Sequence, residues 1–143
     1  MSYLLDTCVI SEFAKPDPEP KVLQWLDEQA EDTLFTSTIV LGELARGVSR
    51  LPEGSRRRRL NAWLYSDLVQ RFSQRLLMVS AEVALKWGET SGAAMRSGVQ
   101  ISMADGLIGA TGIVHSLVVV TRNVDDLSPT GAVVFNPWTD HGD

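Results

Sequence analysis

The sequence predicts an α/β fold: a three-layer α/β/α sandwich around a central, mainly parallel sheet, with an αα-hairpin inserted between two strands. Three observations carry that expectation. Short apolar runs at residues 3–5, 33–37, 76–79, 117–121 and 132–135 alternate with stretches of helical periodicity, the pattern of a sheet covered by helices. The run Leu117-Val118-Val119-Val120-Thr121 is continuous and β-branched, as a strand buried on both faces requires. The chain has 143 residues, enough for one domain with one sizeable core, so residues 1–143 are taken as a single domain.

Taken in order, Tyr3-Leu4-Leu5 forms the first strand and delivers Asp6 at its tip. Val9, Ile10 and Phe13 recur at helical spacing until the proline-rich residues 15–20 end that helix. Pro20 opens a helix with an apolar stripe of Val22, Trp25 and Leu26, and the acids Asp27, Glu28, Glu31 and Asp32 after it face water. Residues 33–37 read as a strand running into a helix capped by Ser37 or Thr38, with Leu41, Leu44, Ala45 and Val48 as its buried stripe. Residues 51–55 break the chain, and Leu60, Leu64, Leu68 and Phe72 mark a long second helix of the hairpin. After the strand at 76–79, Ser80 caps a helix to about Ser97, with Gly98 suited to the left-handed position beyond it. Gly88, Gly92 and Ala93 thin that helix and point to close packing on another backbone. Ser102 caps the next helix, which ends near His115, a residue placed to cap its carbonyls.

Composition narrows the function classes. An apolar content of 44% with 22% charged residues excludes wholesale disorder. No apolar run approaches the ~20 residues that span a bilayer, and no basic segment precedes the short N-terminal run, so a cytoplasmic protein without membrane attachment is expected. Cys8, the single cysteine, excludes an internal disulfide and a cysteine-cluster metal site and reads as a small core residue. A net charge of −5 argues against a uniformly basic nucleic-acid surface, although the four arginines Arg56 to Arg59 stand together. That run suits a phosphate backbone, a partner's surface or simply a solvated helix start. The four tryptophans lie mostly on helical faces, where core packing or a dimer interface accounts for them better than base stacking. His115 and His141 lie far from any Ser or Cys motif, which leaves covalent catalysis without support. An aspartyl-nucleophile phosphatase would need an acid two residues after Asp6, where Cys8 stands.

Three acids sit where folding alone gives no strong reason for them. Asp6 ends a strand, at the edge where parallel sheets place their ligands. Glu43 follows Gly42 in mid-helix, where pairing with Arg46 or Arg50 is the ordinary alternative. Asp105 lies in a helix's first turn among Gly106, Gly109 and Gly112, where it suits the helix dipole and a capping box with Ser102.

The runs Leu4-Leu5-Asp6-Thr7-Cys8-Val9-Ile10, Gly42-Glu43-Leu44-Ala45-Arg46-Gly47, Ala104-Asp105-Gly106-Leu107-Ile108-Gly109-Ala110-Thr111 and Val120-Thr121-Arg122-Asn123 appear in the order and at the intervals of the PIN-domain nucleases. The chain resembles, more narrowly, a VapC-type toxin of a type II toxin–antitoxin system. Its closing Val134-Phe135-Asn136-Pro137-Trp138 is similar to the FitB-like branch. That resemblance implies a metal-dependent endoribonuclease that hydrolyses RNA phosphodiesters with metal-activated water and leaves 5′-phosphate and 3′-hydroxyl ends. It makes Asp6, Glu43 and Asp105 the catalytic acids that hold Mg²⁺ or Mn²⁺, with Thr7 beside the first as a supporting hydroxyl. Asn123 falls where many members carry a fourth acid and contributes one charge fewer, so weaker or single-metal occupancy is expected until substrate phosphate adds its own oxygens, with Asp125 or Asp126 as minor substitutes. Such hard cations prefer carboxylate and water oxygens. Arg46 and Arg122 are the candidates for substrate phosphate. The partners implied are RNA, a VapB-like antitoxin that inserts a segment near the site, promoter DNA through that antitoxin, and a second copy in a homodimer. The alternative is a PIN-fold module that binds nucleic acid or a partner with weak or no catalysis.

Overall fold

The structure, a computed structural model, describes residues 1–140; His141 lies outside them. Five short strands form one sheet: β1 (Tyr3–Leu5), β2 (Leu34–Ser37), β3 (Leu76–Leu77), β4 (Val118–Val120) and β5 (Val134–Phe135). Their order is β3-β2-β1-β4-β5, and every neighbouring pair is parallel. Chain order therefore runs outward from β1 in one direction and then restarts at β4 on its other side. The crevice between the carboxyl ends of β1 and β4 is the switch point at which such sheets bind ligands.

Helices flank the sheet as expected for a three-layer α/β/α fold: α1 (Thr7–Glu12), α2 (Pro20–Glu28), α3 (Thr38–Ser49), α4 (Ser55–Ala62), α5 (Val69–Arg71), α6 (Ala81–Arg96), α7 (Met103–Val114) and α8 (Val124–Leu127). Their starts follow the capping chemistry read from the sequence. Ser37, Ser80 and Ser102 each accept a hydrogen bond from the backbone N–H three residues on, and Pro20 occupies the first turn of α2. Gly98 takes φ +77 past the end of α6, the left-handed conformation that a residue without Cβ adopts at least cost. The core gathers Leu4, Leu5, Val9, Ile10, Val119 and Val120 around the middle of the sheet, each fully buried.

Four details depart from the sequence reading. The hairpin's second arm is not one α-helix, because Trp63–Leu68 between α4 and α5 is π-helical. Leu64 and Leu68 still reach the core from there, so the apolar period survives while the backbone widens. The strands expected at 76–79 and 132–135 shrink to two residues each: Met78 and Val79 are exposed and find no ladder partners among the described residues, and exposed Val133 is joined to β4 only by its carbonyl, which accepts the Val119 N–H. Glu31 is exposed yet not idle: it pairs with Arg71 and Arg75, tying the approach to β2 to the end of the hairpin. Gly88 and Gly92 face open space, so the close approach falls on α7 instead.

On α7 a Cβ at Gly109 would overlap the Thr130 side chain, and one at Gly106 would come within 2.8 Å of Trp87 ring atoms. Because Thr130 is buried and donates to the Leu127 carbonyl, it has little room to yield. Gly109→Ala is therefore expected to destabilise the fold by ~1–3 kcal/mol, read as a lowered denaturant midpoint. Gly92→Ala, in open space on a helix, should be neutral or slightly stabilising in the same measurement.

Candidate functional site

The site is built outward from Asp6. Its backbone N–H continues the β1–β4 ladder to the Val120 carbonyl at 3.0 Å, and its carbonyl accepts from Val9 and Ile10 as α1 begins. The side chain, only 3% exposed, is fixed from two sides. One carboxylate oxygen caps α1 by accepting from the Thr7 N–H at 2.8 Å. The other accepts from the Thr121 hydroxyl at 2.7 Å. Burial raises the Asp6 carboxyl above its ordinary range; Thr121 and Thr7 pull it down, while the charges of Glu43 and Asp105 push it up again.

Thr7 links the second acid to the first. Its hydroxyl donates to Glu43 Oε1 at 2.6 Å across the α1–α3 contact. Glu43 makes no ion pair with Arg46 or Arg50, the alternative that its helix position offered; Arg46 is exposed and contacts none of the acids. Asp105, half-buried in the first turn of α7, has its N–H bonded to Ser102 Oγ at 3.1 Å. Burial raises its carboxyl, the Ser102 hydroxyl opposes that, and the charges of Asp126 and Glu43 reinforce it.

The structure thus brings Asp6, Thr7, Glu43 and Asp105 into one electrostatic neighbourhood. Among the described residues no lysine or arginine pairs with any of these three acids. Nor do three such groups converge into a preformed cage, since Glu43 is turned to Thr7 and both Asp6 oxygens are engaged. Carboxylate and hydroxyl oxygens gathered without a paired cation, with Asp6 and Asp105 raised by burial and neighbouring acids, nevertheless suit a hard divalent cation, which would draw the carboxylates inward and offset their charge.

Thr121 escaped the sequence reading as a site residue, and the structure adds particulars for its neighbours. Thr121, fully buried, donates to Asp6 and accepts the Asn123 N–H at 2.9 Å, so one hydroxyl joins the ends of β1 and β4 to the start of α8. Its position directly after a buried strand was the available signal. Asn123 itself is exposed, and its side chain makes no cap to α8. Asp126 is the α8 acid whose charge acts on Asp105, one helical turn beyond Asn123. Cys8 is half-buried beside Asp6, where its sulfur accepts the Arg122 N–H at 3.3 Å; burial and the Asp6 charge push its thiol pKa up. Glu12 is 2% exposed: burial opposes its charge, but Lys15, the Glu19 N–H and the Arg122 charge outweigh that and hold it below the usual range. Beside the site a groove of about 510 Å³ starts at Thr7 and Glu43, is floored by Leu44, Val48 and Trp63, and is rimmed by Arg56 and Arg59.

The PIN domain family matches residues 3–129. The chain is 36% identical over 137 residues to Toxin FitB of Neisseria gonorrhoeae, covering 96% of this chain and 99% of that one. It is 34% identical over 135 residues to the VapC ribonuclease Y4jK of Sinorhizobium fredii, covering 94% and 96%. The solved structure of FitAB bound to a DNA fragment contains a chain that superposes with a TM-score of 0.90 at 33% identity, covering 98% of each chain.

The raised acids have a measurable cost. Since Asp105 is protonated more readily folded than unfolded, the folded state binds the excess proton, and stability falls as pH rises from the ordinary aspartate value through the raised one. In a chelator, Asp105→Asn should therefore melt at a higher temperature than the native protein at pH 7, and that gain should vanish as the pH falls below the ordinary aspartate value.

Proposed function

The chain belongs to the PIN-domain family, and from that premise we propose that it is a metal-dependent endoribonuclease, the toxin of a toxin–antitoxin pair. The observation that carries this reading is the gathering of Asp6, Glu43 and Asp105 from three separate elements at the sheet's switch point, with no cationic side chain to balance them. A chain built this way over nearly the full length of a named VapC ribonuclease and of Toxin FitB supports hydrolysis of RNA phosphodiesters.

In this reading Asp6, Glu43 and Asp105 hold Mg²⁺ or Mn²⁺, with an oxygen of Asn123 or a carboxylate from Asp126 completing the set. When bound, the ion supplies a water of lowered pKa and offsets charge on the phosphoryl oxygens. The protein's own part is placement. Thr121 and the Thr7 N–H orient the two Asp6 oxygens, so the carboxylate need not reorganise as charge develops. The Thr7 hydroxyl ties Glu43 to the residue beside Asp6. Arg122, with Arg46 as a more distant candidate, takes the RNA phosphates bidentately. No helix among the described residues is long and apolar enough to cross a membrane, in keeping with a cytoplasmic toxin.

Solved structures similar to this chain include FitAB on a DNA fragment. The proposal extends to a VapB-like antitoxin for this chain, through which promoter DNA is bound, and to a homodimer of the toxin. The apolar groove beside Glu43 is the seat proposed for the antitoxin's inhibitory segment: its floor is apolar, its rim basic, and its end opens on the Thr7–Glu43 pair.

Purified protein with Mn²⁺ should cleave structured RNA, lose activity on chelation and regain it when the ion is returned. Asp6→Asn or Asp105→Asn should lower the rate by at least ~100-fold, and cleavage at the native rate by both variants would sink the reading. Thr121→Val should cost ~10–100-fold in kcat and weaken Mn²⁺ binding seen by calorimetry, whereas Thr121→Ser, which keeps the hydroxyl, should retain most of both.

A further inference from the structure

The ribonuclease reading leaves the C-terminal Asn136-Pro137-Trp138 turn without a role, yet that turn is firmly built. Asn136 is buried, its side-chain oxygen accepts the Trp138 N–H at 2.9 Å, and its carbonyl accepts the Asp140 N–H at 2.7 Å. The turn follows β5, whose Phe135 carbonyl accepts the Thr121 N–H at 2.9 Å, so it is anchored one residue from Arg122. The Arg122 guanidinium lies over the Trp138 ring at 4.3 Å from its centroid. Its backbone N–H is held by Cys8 Sγ. The arginine is exposed and makes no ion pair among the described residues. Glu12, the buried acid whose field it feels, is already satisfied by Lys15 and the Glu19 N–H.

A long cationic side chain with no acid to bind loses rotamer freedom only if something else restrains it. The indole face does so without consuming any guanidinium donor, which leaves the planar fork open for an anion. The indole N–H finds no acceptor among the described residues, so Trp138 contributes through its face and not through its polar edge.

We propose that Trp138 is a positioning residue that presets the Arg122 guanidinium as a clamp for a phosphate of the RNA strand flanking the scissile bond. This rests on the ribonuclease reading, and on Thr121, the residue before Arg122, being bonded to Asp6, which sets the clamp beside the acids.

The test is binding of a fluorescent single-stranded oligoribonucleotide to the full chain carrying Asp105→Asn, with Mg²⁺ present, followed by anisotropy across a salt series. Arg122→Ala should weaken binding and flatten the salt slope by ~0.7, the value of one lost phosphate contact. Trp138→Leu should weaken it about three- to tenfold and, in the otherwise native enzyme, raise KM by a larger factor than it lowers kcat, while Trp138→Phe, which keeps an aromatic face, restores most of the affinity. Adding Trp138→Leu to Arg122→Ala should cost nothing more. Native affinity in Trp138→Leu, or losses that add in full, would overturn the clamp even where the enzyme cleaves RNA. No RNA binding and no cleavage by any form would overturn the ribonuclease reading and the clamp with it. Should Trp138→Leu melt early, the contrast between Phe and native Trp, read together with Arg122→Lys, decides the same question.

Discussion

A buried carboxylate that no lysine or arginine among the described residues pairs with is the constraint around which this molecule is arranged. Asp6 occupies the junction of β1 and α1, the carboxyl edge of the sheet and the middle of the core at once. Each location alone accommodates an acid poorly, and the hydroxyl of Thr121 with the Thr7 N–H makes the combination tolerable. The same two bonds set the orientation of the carboxylate, so the device that limits the desolvation cost also aims the group. Glu43 and Asp105 then add repulsion that the fold does not relieve internally. Local stability and a cation-ready site are in opposition here, and the surrounding apolar core of Leu4, Leu5, Ile10 and Val120 supplies the difference.

The other elements can be understood by what they bring to that junction. Parallel pairing of β1 with β4 sets Thr121 next to Asp6. The αα-hairpin carries Glu43 on its first arm and the arginine-rimmed groove wall on its second. Glycines on α7 let that helix lie close to Trp87, Val119 and Thr130, which brings Asp105 to the same edge. The π-helical stretch at Trp63 keeps Leu64 and Leu68 inward while Trp63 lines the groove beside Glu43.

Much of this was legible in the residues, and what was not has identifiable physical reasons. Serine caps, the proline at the start of α2 and the left-handed Gly98 are local chemistry, so they appear where the sequence places them. The sheet's parallel order follows from alternating helical and apolar runs. The ends of β3 and β5 were not legible, because an apolar residue such as Met78 or Val133 looks alike whether or not a neighbour offers a ladder partner. Gly88 and Gly106 are equally small in the sequence, yet only one meets another side chain; that depends on tertiary approach. Among the site residues, Asp6, Glu43 and Asp105 were recognisable through a family pattern and Asp126 was one of two substitutes offered for Asn123, whereas Thr121 depended on a contact between segments more than a hundred residues apart. Glu12 looked like an ordinary α1 residue until its burial was visible.

The separation of Asp6 from Thr121 along the chain has a consequence for how the protein is made. β1 emerges from the ribosome well before its pairing partner β4 and the hydroxyl that orients Asp6, which lies 115 residues further along the chain. Until then the amino-terminal half holds an acid without its orienting bond and a central strand open along one edge. A chain interrupted during translation would therefore carry the first acid of the site but not the arrangement that makes it useful. For a protein proposed to cut RNA, the fold's topology makes synthesis through β4 a condition for assembling the machinery, while the unpaired edge of β1 marks the interval in which the nascent chain is most exposed to mispairing.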